Sequence, residues 1–424
     1  MSPTIRNSIF RHLIHDYTEP IRDPLWHHIY LSPGVKRLVA LESFQKLGRI
    51  KQLGPAFHVY PGAVHTRLNH SLGVFHLSRM LLLALLERSD ELPLTLEGVK
   101  AFLSAALLHD LGHFPFAHSL KELPLKEHEQ LTAEAVLSEP IAGALREWVG
   151  CSPEVVAAIV DEHMQLPEDI EVPFYRRLLS GVLDPDKLDY LNRDAFFCGV
   201  PYGMQDTQFV LHKMLPHPSQ GVALEEDGVT AVENVLFSKY QMYRTVYWHR
   251  AVRIATAMIK QAVYSGMISK KITSQDLYWL DDEEFFRTFP ADSYAPFQLI
   301  EQVMHRQLYK TAYEQSFDPQ NSAHTDLTDL PHRNSVQEKL AAQLSTQVQR
   351  TVQPYEVLID IPEPISFEVD LPIYQQDQFI PFTESGSVFS GPVVKGFTDS
   401  LRKVRIYLPA DLSTRVKESQ ISLL

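Results

Sequence analysis

Leu107-Leu108-His109-Asp110-Leu111-Gly112-His113-Phe114-Pro115-Phe116-Ala117-His118 is the stretch on which the reading of this chain turns. The residues before it, AFLSAALL at 101–108, are apolar almost all round, the pattern of a helix central to a helical fold. Thr95 and Glu97 favour its start, and Gly112 lies near its end. A His and an Asp side by side at the end of a buried helix are costly unless something supplies the missing charge. A divalent metal would do so. One helical turn further, His113 is expected on the face of His109, and His118 and His128 follow.

Two other segments offer matching parts. Upstream, His65-Thr66-Arg67-Leu68-Asn69-His70 puts two His and an Arg at a helix start. Downstream, Leu183-Asp184-Pro185-Asp186-Lys187-Leu188-Asp189-Tyr190 offers three carboxylates and a Lys. Imidazole and carboxylate together hold a divalent metal with positions left open for water. Such a metal acidifies its water and polarises a phosphoryl oxygen, while Arg and Lys neutralise phosphate oxygens. His65 reads as a supporting or loop residue, and His76, six residues after His70, as a packing one.

Outward from these segments, residues 1–35 read as irregular, with short extended pieces. Helical spacing is expected over 35–53, 67–89, 95–109, 127–150, 153–163, 173–182 and 185–195. FVLHKML and GVALEE around PHPSQ predict a hairpin at 208–226. One long helix is predicted over 229–268, with a face of Tyr240, Tyr243, Arg244, Tyr247, Arg250 and Arg253. Residues 316–335 turn polar and read as a loop or linker. YEVLIDI, ISFEVDL and KVRIYL beyond it read as strands.

Composition narrows the function. The 424 residues carry 39 Lys+Arg against 52 Asp+Glu, a net charge of −13, which argues against general nucleic-acid binding. The first eighty residues run the other way, with ten basic and four acidic side chains, so a small anion has a local partner. Twelve of the 19 His fall in the first 128 residues. Two Cys make no disulfide framework and suit a reducing, cytoplasmic setting. No secretory signal is read at MSPTIRNSIFRHL, and Met80–Leu86 falls far short of the about 20 apolar residues of a membrane span.

The pattern H…HD…D, at His70, His109-Asp110 and Asp186, resembles that of the HD-domain metal-dependent phosphohydrolases. DPLWHHIYL, FQKLGRIKQLG, YPGAVHTRLNHSLGV, LLHDLGHFPFAH, HEQ and DPDKLDYLNRD occur in that order. The series is similar to the deoxynucleoside triphosphate triphosphohydrolases, both dGTPase-like bacterial enzymes and vertebrate enzymes with a SAM domain, over roughly residues 20–265. No SAM domain is read here. The resemblance implies a mainly α fold: an HD-domain helical core over 1–315, with the small hairpin, and a C-terminal α/β appendage over 336–424. It implies His70, His109, Asp110 and Asp186 as metal ligands, for Mn, Mg, Fe, Ni or Zn. It implies His113, His128 and His118 as catalytic or near the α-phosphate. Arg67, Lys187, Tyr190 and Arg244 would hold the triphosphate. Gln52, Leu53 and Asp194 would surround the deoxyribose.

The activity so implied is cleavage of a dNTP to deoxynucleoside and inorganic triphosphate by water attack at the α-phosphorus, in a homo-oligomer open to a second, activating nucleotide. Departures from the pattern are Lys121 in place of an Asp, Trp248 and Val252 in place of a His and a Tyr, and Arg22 in place of an Asn. Lys121, Trp248 and Val252 keep open a non-enzymatic nucleotide-binding regulatory oligomer, Arg22 bears on activation by a second nucleotide, and another HD phosphohydrolase (nucleotidase or phosphodiesterase) is the further alternative.

Overall fold

A first helix, α1 (Pro3–His15), leads into a hairpin of β1 (Glu19–Asp23) and β2 (His27–Leu31). Sequence spacing alone left this region irregular. α1 is held by one short apolar edge, Ile9 and Leu13, with Phe10 partly buried beside it and Ile5 and Ile14 exposed. The computed structural model describes residues 3–416 apart from 90, 91, 93, 167–170, 218, 366, 368 and 390.

The helical core follows. α2 (Arg67–Arg88) starts at Thr66, where Thr66 and Asn69 form a reciprocal cap. α3 (Leu96–Leu108) starts at Thr95, whose hydroxyl accepts from the Gly98 N–H at 3.0 Å. α4 (His128–Val136), α5 (Pro153–Val160), α6 (Val172–Leu179) and α7 (Pro185–Cys198) complete it. Asp184 caps α7, Pro185 fits its first turn, and Gly199 ends it at φ 68, a conformation natural to glycine. α3 is buried on nearly every side, as its unbroken apolar run requires.

Several expected boundaries shift for local reasons. FVLHK is helical within Thr207–Lys213, because Asp206 caps it. The hairpin itself is shorter, β3 (Met214–His217) with β4 (Gly221–Glu225). The predicted long helix is two helices, α8 (Val229–Met242) and α9 (Arg250–Ile268), separated by a wide π turn at Tyr243–Tyr247. There Trp248 N donates to Tyr243 O at 2.8 Å, five residues back, so the Tyr/Arg face does not run straight. The helical spacing over 35–53 is met by three short turns, Pro33–Val39, Glu42–Gln45 and Lys46–Arg49.

β5 (Lys310–Ser316) precedes the polar stretch read as a loop. That stretch carries a short helix, Ser322–Asp326, and the first turn of α10 (Leu330–Val348), each started by a polar cap, Asn321 and Asp329. β6 (Leu358–Asp360), β7 (Pro372–Gln375), β8 (Gln378–Pro381), α11 (Gly391–Leu401) and β9 (Lys403–Leu408) follow. The described residues of ISFEVDL form no strand. One sheet runs β3-β4-β7-β8, with Leu224 beside Ile373 in a parallel pair, so the core hairpin and the C-terminal region share it. The other runs β5-β9-β6. A second apolar core surrounds α9, and a third lies between α10 and this sheet. No helix among the described residues is long and apolar enough to cross a membrane.

Candidate active site

α2 and α7 supply the two walls of the site. The cap at Thr66 places Arg67 and His70 in the first turn of α2, facing inward and buried. The cap at Asp184 does the same for Asp186 and Asp189 on α7. The two helices cross so closely that a Cβ on Gly73 would lie 1.9 Å from Asp189 Oδ1. Between them arrives the end of α3. The helix stops at Leu108, so His109 to His113 form a tight turn rather than the further helical turn the spacing implied. Gly112 is needed there: a Cβ would sit 2.2 Å from His128 O. Thr132 ties the turn to α4, accepting from Gly112 N at 2.8 Å and donating to His109 O at 2.9 Å.

His70, His109, Asp110 and Asp186 converge. His70 Nε2 lies 2.8 Å from Asp186 Oδ1. His109 Nε2 lies 3.5 Å from Asp110 Oδ1 and 3.9 Å from Asp186 Oδ1. The His109 tautomer follows from its other nitrogen, which donates to Ala106 O at 2.9 Å. Nε2 therefore carries a lone pair, is buried without a hydrogen-bond partner, and points at two carboxylates. A lone pair aimed at carboxylate oxygens calls for a cation between them. Three of these groups, His70, His109 and Asp110, offer ligand atoms within 4.8 Å of one another. The donor set therefore fits a divalent metal with mixed imidazole and carboxylate ligands.

Electrostatics point the same way. Despite its burial, His70 is raised to about 10 by Asp186 and Asp189. Asp110 is also buried, yet Arg67 above all holds it well below the usual carboxylate range. The site thus demands positive charge at its centre.

A second group of imidazoles lies beside it. His113 Nε2 and His118 Nε2 share a hydrogen bond at 3.2 Å, and the His113 and His128 rings are 3.9 Å apart. His113 Nδ1 lies 3.0 Å from Asp110 Oδ1. Burial, and then Arg67, lower His113 to about 4. Burial, and then His113, push His118 and His128 well below the ordinary imidazole value. All three are neutral near pH 7, and each neutral ring keeps one nitrogen lone pair.

The remaining expected residues divide. Arg67 Nη1 pairs with Asp110 Oδ2 at 2.7 Å, while its buried Nε has no partner. Tyr190 is on the same side of α7 as Asp186, and burial raises its hydroxyl well above 10. Lys187 is turned to Asp184 and Gly181 O, at 2.7 and 2.8 Å. Asp194 is buried, with His65 Nε2 at 2.8 Å and Tyr247 OH at 2.7 Å on its two oxygens. Gln52 Oε1 is buried without a partner, and Leu53 packs beside Ala56 and Val252. Arg244 is exposed and donates to Tyr240 OH at 2.8 Å. Lys121 stands 3.9 Å from Glu127. Arg22 is on β1, in contact with His28.

Sequence reasoning assigned no role to Asp189, which holds His70. Its Oδ2 accepts from His70 Nδ1 at 2.8 Å. Trp26 Nε1 and both ends of the Arg193 guanidinium bind the same carboxylate at 2.5 to 2.9 Å, and Arg193 reaches on to Asp23 at 2.9 Å. Asp189 lies in the quoted motif, three residues after Asp186 and four before Arg193, which was the available signal. A carboxylate that orients a ligand imidazole typically contributes 10–100-fold in metal affinity. Asp189→Asn is accordingly expected to weaken divalent-metal binding about 10–100-fold, read by metal titration; unchanged affinity would remove Asp189 from this role.

The HD domain matches residues 67–192, and the HD associated region matches residues 206–424. Over 348 residues the chain is 30% identical to an uncharacterized protein of Bacillus subtilis, covering 76% of this chain and 75% of that one. It is 29% identical over 277 residues to the deoxynucleoside triphosphate triphosphohydrolase SAMHD1 of Homo sapiens, covering 58% of this chain and 44% of the human one. A crystal structure of a hypothetical protein from Aquifex aeolicus superposes with a TM-score of 0.72 at 25% identity, covering 95% of this chain and 99% of that one.

Proposed function

The chain belongs to the family of HD-domain proteins that carry the HD associated region, and from that premise we propose that it is a metal-dependent phosphohydrolase that cleaves deoxynucleoside triphosphates to deoxynucleoside and inorganic triphosphate. The observation that carries this reading is the unpartnered His109 Nε2, set among His70, Asp110 and Asp186 beside three neutral imidazoles.

His70, His109, Asp110 and Asp186 would hold the metal. When bound, it supplies a Lewis acid for a phosphoryl oxygen and lowers the pKa of water. The chain's own groups do the rest. Arg67, fixed by Asp110, keeps its Nε for a phosphate oxygen. Tyr190 adds an O–H donor beside Asp186, and Lys187 and Arg244 would turn to the substrate from their present partners, Asp184 and Tyr240. Hydrolysis forms a bond from water oxygen to the α-phosphorus and breaks the bond to the 5′ oxygen. One proton leaves the water and one proton must reach the departing 5′ oxygen. The His113–His118–His128 group suits both tasks, because each imidazole is neutral and the first two already share a hydrogen. Gln52 and Asp194 suit the sugar end.

A panel of dNTPs with Mn²⁺ and Mg²⁺, separately and mixed, tests the reading. Inorganic triphosphate plus deoxynucleoside is the expected product pair. Release of monophosphate or diphosphate, or no turnover of any dNTP, would overturn it. The same reading includes a homo-oligomer and activation by a second nucleotide, checked by light scattering and by the mixed panel.

A further inference from the structure

The Tyr/Arg face that the sequence placed on one helix is broken by the π turn, and the break sends Tyr243 inward. Tyr243 and Tyr190 both meet the Tyr247 ring, and Tyr243 lies within electrostatic reach of Lys187, Asp186 and Asp194. Its ring meets Tyr247 edge-on at 4.9 Å and Trp248 edge-on at 5.6 Å. Tyr247 in turn donates to Asp194, the residue assigned to the sugar end. Among the described residues the Tyr243 hydroxyl has no hydrogen-bond partner, so a neutral O–H donor is left beside the site.

The back of this aromatic wall is made by the C-terminal region. Phe367, Ile365 and Leu401 form one buried cluster against Tyr240, Tyr243 and Trp248. Phe397 of α11 stacks on Tyr240 at 4.3 Å and 22°, and Phe367 meets Phe397 at 5.7 Å. Thr398 Oγ1 bonds Ile365 O at 3.2 Å, tying the two C-terminal segments together behind the wall. The π turn closes its hydrogen bonds five residues back, which leaves the placing of its side chains to what packs against them. Aromatic packing from outside the helix does that work, each such pair being a directional contact.

Resting on the dNTP reading above, we propose that Tyr243 is a substrate-contacting residue that donates its hydroxyl to the sugar–phosphate end of the nucleotide, and that Phe367 and Phe397 are positioning residues that hold Tyr243 and Trp248 against it. The C-terminal region thereby sets nucleotide affinity from behind the pocket.

The test uses the full chain loaded with Mn²⁺ and titrated with dGTP. Two readouts are taken: steady-state hydrolysis, and equilibrium binding followed by tryptophan fluorescence, with Trp248→Phe identifying the Trp248 contribution. Tyr243→Phe is expected to raise KM and Kd about tenfold while kcat changes less than twofold. Phe397→Ala is expected to raise both in the same direction with the thermal midpoint little changed. Phe397→Tyr, which keeps the stack, is expected to restore them. Unchanged KM and Kd in Tyr243→Phe would overturn the proposal, as would a Phe397→Ala effect confined to kcat or to thermal stability. Binding that quenches Trp248 and weakens in Tyr243→Phe, without hydrolysis in the wild type, would sustain this proposal and sink the dNTPase reading. Hydrolysis with normal kinetics in every variant would do the reverse. Neither binding nor hydrolysis in the wild type overturns both.

Discussion

His109→Ala is expected to lose the bound metal and to lower phosphohydrolysis at least about a thousandfold. His109 Nε2 has no role in the fold, since the imidazole is anchored only through Nδ1 to Ala106 O. Metal-derived stabilisation of developing charge amounts to several kcal/mol, and each 1.36 kcal/mol is a factor of ten in rate. The thermal midpoint should move little, because no buried charge loses its partner. Asp110→Ala gives the same loss of metal and rate but adds a stability defect, since Arg67 is left buried without its carboxylate. Metal content by mass spectrometry, initial rates and thermal midpoints for both variants check the pair. Full metal content and full activity in His109→Ala would show that the four-residue set is wrong.

The second large effect lies in the C-terminal region. Asp360 of β6 is fully buried, paired with both ends of the Arg253 guanidinium, and accepts from Tyr407 OH at 3.1 Å. Asp360→Ala leaves the Arg253 charge of α9 uncompensated and is expected to cost about 3–5 kcal/mol, read as a lower urea midpoint. The pH dependence follows from the carboxyl itself. Burial opposes its ionisation, but Arg253, Lys260 and Arg405 hold its pKa below the ordinary value. A lowered carboxylate pKa contributes stability above the unfolded value, about 3.9, and loses it as pH falls through the folded value. The stability gap between wild type and Asp360→Ala should therefore be flat from pH 7 to about 5 and shrink below about 4. A gap that widens on acidification would mean that another group dominates.

Much of this was legible because it is local. The apolar run ending at His109, the caps at Thr95 and Asp184, and KVRIYL as a strand each depend on neighbours within one turn or one alternation. The convergence of His70, His109, Asp110 and Asp186 was legible as a motif, since His109 and Asp110 are adjacent and His70 and Asp186 each follow a cap. What spacing could not carry was pairing across the chain. Asp189 with Trp26, Arg253 with Asp360, and β4 beside β7 join residues far apart in sequence, and no periodicity records a partner. The π turn was hidden for a different reason. Inserting one residue into a helix changes the phase of everything after it but leaves the apolar spacing of each half intact, so 229–268 read as continuous. The polar stretch 316–335 concealed helix starts because cap residues are themselves turn residues.

The order of strands in the sheet β5-β9-β6 carries a consequence for how the chain comes off the ribosome. Among the described residues β5 and β6 do not pair with each other, and each pairs with β9. The central strand is the last of the three to be made, so two half-strands emerge with open edges and no template until residues 403–408 appear. At ribosomal speeds of about 5–20 residues per second, β5 waits on the order of ten seconds. Through that interval the helices up to α9 are already made while this sheet is still open, and nascent-chain factors have an opportunity there.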